Sequence, residues 1–173
     1  QATRAPLIIA APNHPGGMRT DAPTGHADVF PTLCDLAGVP RPAQLQGTSL
    51  VPLMKNPRSS VREASLSQYP RSIDGLPVMG YALRDRRYRY IKWIQMAFRQ
   101  GERSGRLVAR ELYDYHTDPM ETVSQADNTD YAEIVARFEG IFTRMNVAQH
   151  TGIYEPAAAA ATLHGVGRML FNG

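Results

Sequence analysis

The sequence predicts a mixed α/β chain in two parts: the edge of a large α/β layer, then a small antiparallel α+β subdomain. Three observations carry this. The apolar run "LIIAA" at residues 7–11, with proline at either end, has the pattern of a strand buried on both faces, as in a parallel sheet under helices. From residue 64 to 115, short runs rich in aromatic and β-branched residues are separated by turn residues, the pattern of antiparallel strands. Residues 130–145 then carry apolar side chains at helical spacing, which supplies one covering helix.

Each element has its own local reason. A strand at 7–11 needs neighbours, so "QATRAPLIIAAP" reads as an interior cut, and the isolated chain is expected to aggregate for want of sheet partners. A loop rich in Gly, Pro, Asn and Asp leads to "HADVFPTLCDLAGVP", a helix that Asp28 can cap, with Pro31 tolerated in the first turn. Val29, Leu33, Leu36 and Ala37 form its apolar stripe, Gly38 stops it and Pro40 blocks continuation. Residues 45–60 are a connector whose Pro/Ser/Asn ending suggests a boundary. The expected domains are thus 1–56, the end of the large layer, 57–149, the subdomain, and a low-complexity tail at 150–173 that is expected to be poorly ordered.

Within the subdomain "ASLSQYP" reads as a strand and "RSIDGLP" as a loop. The stretch "MGYALRDRRYRYIKWI" is a hairpin turning near Asp85, with Tyr88 and Tyr90 on one face and Ile91 and Trp93 on the other. "RLVARELYDY" gives a further strand. The helix "DYAEIVARFEGIFTRM" has its stripe at Ile134, Val135, Phe138, Ile141, Phe142 and Met145, and Asp130 and Glu133 have capping-box spacing.

The chemistry that these residues can support is sparse. Cys34 is the one cysteine; no nearby Lys or Arg lowers its pKa, and it sits beside an apolar stripe, so it reads as packing. The five histidines lack metal-ligand spacing, and no phosphate loop, nucleophile elbow or Cys-x-x-Cys pair is present. His26 and Asp28 read as a satisfied histidine and a helix cap. Asp114, Asp118 and Glu121 do not match an EF-hand, and Pro119 makes a turn the better reading. A net charge of +3 is weak support for a nucleic-acid partner. "RDRRYRYIKW" interleaves basic and aromatic residues, yet a hairpin with a solvated basic face accounts for it. No apolar run approaches the roughly 18 residues of a membrane span. Neither nucleic acid nor membrane is therefore expected as a partner.

Order and content together say more. "TRAPLIIAAP", "HADVFPTLCDLAGVPRPAQLQGTSLVPLM", "SQYPR", "MGYALRDRRYRYIKW" and "ELYDYHTDPMET" resemble, in sequence and in order, the C-terminal part of type I sulfatases, over roughly residues 1–127. The "SQYPR" and "MGY" segments are closest to the iduronate-2-sulfatase-like branch. The resemblance implies an alkaline-phosphatase-like large α/β domain, of which residues 1–56 are the edge. It also implies a formylglycine nucleophile, made inside a Cys/Ser-x-Pro-x-Arg motif, and a calcium ion. Cys34 is followed by Asp35, Leu36 and Ala37 and does not match that motif, so no catalytic or metal residue is expected in this chain. The implied activity of the intact protein is sulfate-ester hydrolysis, with this chain inactive alone.

What the resemblance leaves to this chain is the pocket. The stretch after "SQYPR" is the candidate to overhang it, with Arg71, Asp74 and Trp93 as candidate substrate-binding residues. Arg71 would pair with a carboxylate of the substrate or of the large domain. Trp93 would stack on a sugar face or pack in the hairpin. "SIDGLPV" is shorter than the lysine-containing loop of lysosomal relatives and offers Asp74, so acidic-sugar specificity does not carry over. The expected partners are a sulfate-ester substrate, a sulfated sugar among the candidates, and the N-terminal large domain. A periplasmic, secreted or lysosomal-type compartment would fit the family. The alternatives are a phosphonate or phosphate monoester hydrolase of the same superfamily and a non-catalytic polyanion-binding module.

Overall fold

The structure, a computed structural model, describes residues 5–151, so the expected low-complexity tail lies almost wholly outside the described residues. The chain divides into two compact units, one of Gln1–Leu66 with Arg84–Arg86 and one of Ser67–Leu83 with Arg87–Gly173. The division falls past the Pro/Ser/Asn stretch at which the sequence suggests a boundary.

In the first unit, residues 7–11 are not a strand. They run as irregular chain, and Ile8 is 89% exposed. The correction has a simple cause: a strand is held by ladder hydrogen bonds to neighbours, and no strand among the described residues pairs with this run. Helix α1 (Val29–Ala37) forms where expected and ends at Gly38, whose φ of 66° is the left-handed turn that glycine adopts without penalty. Its buried face is another than the apolar spacing suggests. Pro31, Thr32 and Cys34 are buried, whereas Leu33 and Phe30 are more than half exposed. Thr32 explains the rotation, since its hydroxyl donates to the Asp28 carbonyl at 2.5 Å and accepts the Leu50 amide at 2.9 Å. A buried polar anchor with both roles filled outweighs an apolar stripe.

Asp28 also departs from expectation. Its side chain makes no cap hydrogen bond to α1. It is fully buried, reaches back to the Gly25 amide at 2.8 Å, accepts the Thr48 amide at 2.8 Å and pairs with Arg62. Helix α2 (Val51–Lys55) follows, with Pro52 at its start. Ala22, Leu50 and Leu53 form the small core of this unit, with Ile9 and Val61 packed against it.

The second unit is built on a five-stranded sheet in the order β1 (Ser65–Ile73), β2 (Leu76–Arg84), β3 (Tyr88–Gln95), β4 (Ser104–Asp114) and β5 (Gln149–Thr151). β3 and β4 pair antiparallel, with Tyr90 opposite Leu112 and Trp93 opposite Ala109, and β5 joins β4 in parallel. The expected loop "RSIDGLP" is mostly strand. β1 runs on to Ile73 and turns into β2 through Asp74 and Gly75, at φ 51° and 79°. Two consecutive positive φ values make a type I′ hairpin turn, for which Asp-Gly is a favoured pair.

Helix α3 (Ala132–Met145) covers one sheet face. Tyr90 is wholly buried there, stacked on Phe138 with centroids 5.8 Å apart and tilted against Phe142 at 6.1 Å. Val135, Phe138, Ile141 and Phe142 are the buried members of the predicted stripe, while Met145 is 40% exposed. The expected capping box is absent. A 3-10 turn at Thr129–Tyr131 precedes the helix, and the Asn128 side chain accepts the Asp130 amide at 3.0 Å instead. On the opposite face, Val78, Ala82, Ile91, Trp93 and Ala109 form the second core layer.

Candidate functional site

Alternation along β3 sends Tyr90 and Lys92 toward α3 and Ile91 and Trp93 to the other face. On that face the sheet brings Arg71 of β1 together with Trp93 of β3. The Arg71 guanidinium carbon lies 4.6 Å from the centroid of the Trp93 ring and 5.6 Å from that of Tyr69. The indole lies close on Gly80 of β2, where a Cβ would come within 2.5 Å of Cζ3. A side chain at that position would displace the ring.

Glu111 of β4 completes the cluster and is the residue that sequence reasoning missed. One of its carboxylate oxygens accepts the Trp93 Nε1–H at 2.6 Å and the other accepts the Tyr113 hydroxyl at 2.6 Å. Burial and then the adjacent Glu111 charge push the Tyr113 phenol well above its ordinary range. The signal available in the sequence was the i, i+2 spacing of Glu111 and Tyr113 in "RELYDY", which places both on one face of the strand. Asp74 stands apart. It is exposed in the hairpin turn, and no hydrogen bond or ion pair among the described residues ties it to Arg71 or Trp93. Trp93 itself is only 5% exposed, so Tyr69, at 62%, is the aromatic surface that this cluster presents.

The basic hairpin is largely neutralised. Arg87 makes a paired contact with Asp114 at 2.8 and 2.6 Å, Arg89 donates to both oxygens of Glu121, and Lys92 reaches Glu139 at 2.9 Å. The Arg87 hydrogen bonds, against the opposing effect of burial, hold Asp114 down at about 2. Burial pushes Glu121 upward, but hydrogen bonds from Tyr115 and Arg89 outweigh it and leave its pKa low. Acid should therefore loosen this unit. A carboxylate whose folded pKa lies below its ordinary 3.8 adds stability that is present above that value and lost as pH falls toward about 2. Denaturation midpoints measured between about pH 5 and pH 2 should fall steeply in that window for the wild type and less for Asp114→Asn relative to its own value at neutral pH.

Comparison with known proteins places this geometry. A family model described as N-sulphoglucosamine sulphohydrolase, C-terminal, matches residues 1–148. The chain belongs to this family. A delta 4,5-hexuronate-2-O-sulfatase of Bacteroides thetaiotaomicron is 29% identical over 146 residues, covering 80% of this chain and 27% of the relative. A solved structure described as a 2-O GAG sulfatase aligns over 68% of this chain and 23% of its own, with TM-score 0.52 and 28% identity. The solved phosphonate monoester hydrolase of Agrobacterium radiobacter aligns equally well, over 71% and 25%, with TM-score 0.52 and 28% identity. The chain spans about a quarter of the length of the curated relatives that it matches.

In this sulphohydrolase C-terminal domain, the calcium that the resemblance implies has no cradle among the described residues. Each acidic side chain of "YDYHTDPMET" has its own partner. Asp114 takes Arg87, Asp118 accepts the Thr122 and Val123 amides at 2.6 and 2.9 Å, and Glu121 takes Arg89 and Tyr115. These residues form a turn and do not converge on a common point, so they do not fit a hard divalent cation. His26 is exposed, and its neighbour Asp28 is committed to two amides and Arg62. Cys34 is buried as a free thiol in α1.

Proposed function

We propose that this chain is the C-terminal part of a sulfuric ester hydrolase, and that it shapes the substrate pocket while the catalytic residues stand in a preceding large α/β domain. The observation that carries this reading is the family match over residues 1–148. Relatives named as sulfatases support it. On this reading the partners are a sulfate-ester substrate and the large domain of the same protein. The names of the relatives favour a sulfated sugar as that substrate. Calcium and a formylglycine, the groups that sulfatases use for sulfate-ester chemistry, would be held by the large domain, because no acidic cluster of the described residues fits the ion. Arg71 is the substrate contact, Trp93 its support and Asp74 the tip of the adjoining hairpin.

A second reading stays open because the phosphonate monoester hydrolase matches this fold as well as the sulfatase does. Parallel assays of the full-length protein on 4-nitrocatechol sulfate and 4-nitrophenyl phenylphosphonate separate the two. Faster sulfate-ester turnover is expected, and faster phosphonate turnover would transfer the reading. The 173-residue chain by itself is expected to release no sulfate, and turnover by that chain would overturn the division of labour. A polyanion-binding role has less support, since Arg87, Arg89 and Lys92 already face carboxylates. Elution from a heparin column at low salt is expected.

A further inference from the structure

Arg71 differs from four other cations of its unit in what holds it. Arg87, Arg89, Lys92 and Arg110 each reach a carboxylate. Arg71 is held by two aromatic rings, and no acceptor among the described residues takes its N–H groups. Placing a guanidinium over a ring uses its charge and leaves its fork of donors for another group.

The support beneath Arg71 is fixed from two sides. Gly80 allows the indole to lie against β2, and Glu111 anchors its Nε1–H. Tyr113 in turn anchors the second Glu111 oxygen. A carboxylate on the indole N–H polarises the ring toward a cation over its face, as linked hydrogen bonds polarise one another. The sequence therefore builds a chain of contacts, Tyr113 to Glu111 to Trp93 to Arg71, that ends in an uncommitted bidentate donor.

We propose that Arg71 forms an oxyanion subsite for a second negative group of the substrate, and that Glu111 is its positioning residue through Trp93. The group is a sugar carboxylate or an additional sulfate, either of which matches the guanidinium fork. The exposed Tyr69 ring beside Arg71 offers a face for the sugar carrying it. This rests on the reading of the intact protein as a sulfatase.

The test uses the full-length protein and two substrates: 4-nitrophenyl sulfate, whose only anion is the scissile group, and a 2-O-sulfated, N-sulfated unsaturated heparin disaccharide. Arg71→Ala should raise KM for the disaccharide by roughly 10-fold or more, the scale of a lost charged hydrogen bond, with kcat nearly constant. KM for 4-nitrophenyl sulfate should stay within about twofold, since that substrate lacks the second anion. Arg71→Lys should recover only part, because an ammonium lacks the planar fork. Glu111→Leu and Trp93→Phe should raise the disaccharide KM several-fold alone and add nothing in the Arg71→Ala background. Equal KM rises for both substrates, or additive effects, would overturn the proposal.

The source of the anion follows from two modified disaccharides. If reduction of the carboxyl abolishes the Arg71→Ala effect, the carboxylate is the ligand; if replacing N-sulfate by N-acetyl does so, the sulfate is. An effect untouched by both overturns the subsite. Should the wild type hydrolyse neither substrate, the sulfatase reading fails, and calorimetric binding of the disaccharide decides the subsite by itself. Binding weakened at least tenfold by Arg71→Ala supports it; equal binding, or none by the wild type, overturns it.

Discussion

Asp28→Ala is expected to destabilise the first unit by roughly 3 kcal/mol, the lower end for breaking a buried ion pair. Asp28 is fully buried, and three donors converge on its two oxygens: the Gly25 amide, the Thr48 amide and the Arg62 guanidinium. Alanine strands all three, and each buried donor left without a partner carries its own desolvation cost. The Arg62 side chain is 22% exposed, so water can recover part of its loss, which sets the estimate at the lower end. Hydrogen exchange reads the change locally. The Thr48 and Leu50 amides should exchange much faster in the variant, while amides of β3 and β4 should not. Asp28→Asn keeps one acceptor oxygen and turns an N–H₂ toward a donor, so it should fall between wild type and alanine. An alanine variant within about 1 kcal/mol of wild type would show that the carboxylate is dispensable.

Asp28 also shows where the sequence misleads. An aspartate directly before an apolar helix is the ordinary signature of an N-cap, and the local pattern supported that reading. The deciding partners, Thr48 and Arg62, are remote in sequence and leave no trace in spacing. The buried face of α1 escapes the sequence for the same reason, because the Thr32 hydroxyl, besides its bond to the Asp28 carbonyl, accepts the amide of Leu50, which is remote in sequence. The strand at 7–11 failed differently: its pattern is that of a strand, but a ladder needs a neighbour. Periodicity did carry the second unit. The hairpin turn near Asp85 and the strand read at 106–115, observed at Ser104–Asp114, follow from local alternation, and the buried stripe of α3 follows from helical spacing. The Asp74-Gly75 dipeptide is itself a hairpin signal, and the two strands that it joins replace the expected loop.

The candidate cluster was half legible. The sequence marks Arg71 and Trp93 separately, one for its charge after a strand and one for its ring. Their contact depends on strand order and register, which sequence spacing does not provide. Nothing in the spacing around Glu111, beyond the strand face it shares with Tyr113, marks it as a site residue. Only its partners, Trp93 Nε1 and the Tyr113 hydroxyl, reveal otherwise.

Phe138→Ala should cost the second unit about 3–5 kcal/mol, the range for removing a buried aromatic ring. Phe138 is wholly buried at the centre of the α3 face, stacked on Tyr90, with the Arg137 guanidinium 4.5 Å from its centroid. Its loss opens a cavity beneath a helix that is the only one covering that face among the described residues. The damage should extend to polar neighbours. Tyr90 donates its hydroxyl to Glu139 at 2.7 Å, and Lys92, itself only 3% exposed, pairs with the other Glu139 oxygen. If α3 lifts away, Lys92 loses the Glu139 carboxylate in a nearly dry position, so packing and pairing should fail together. Phe138→Leu keeps most of the volume and should cost markedly less, about 1–2 kcal/mol. Urea unfolding followed by exchange of β3 and α3 amides checks both variants. Equal losses for leucine and alanine would mean that the ring shape, rather than the volume it fills, holds the helix on the sheet.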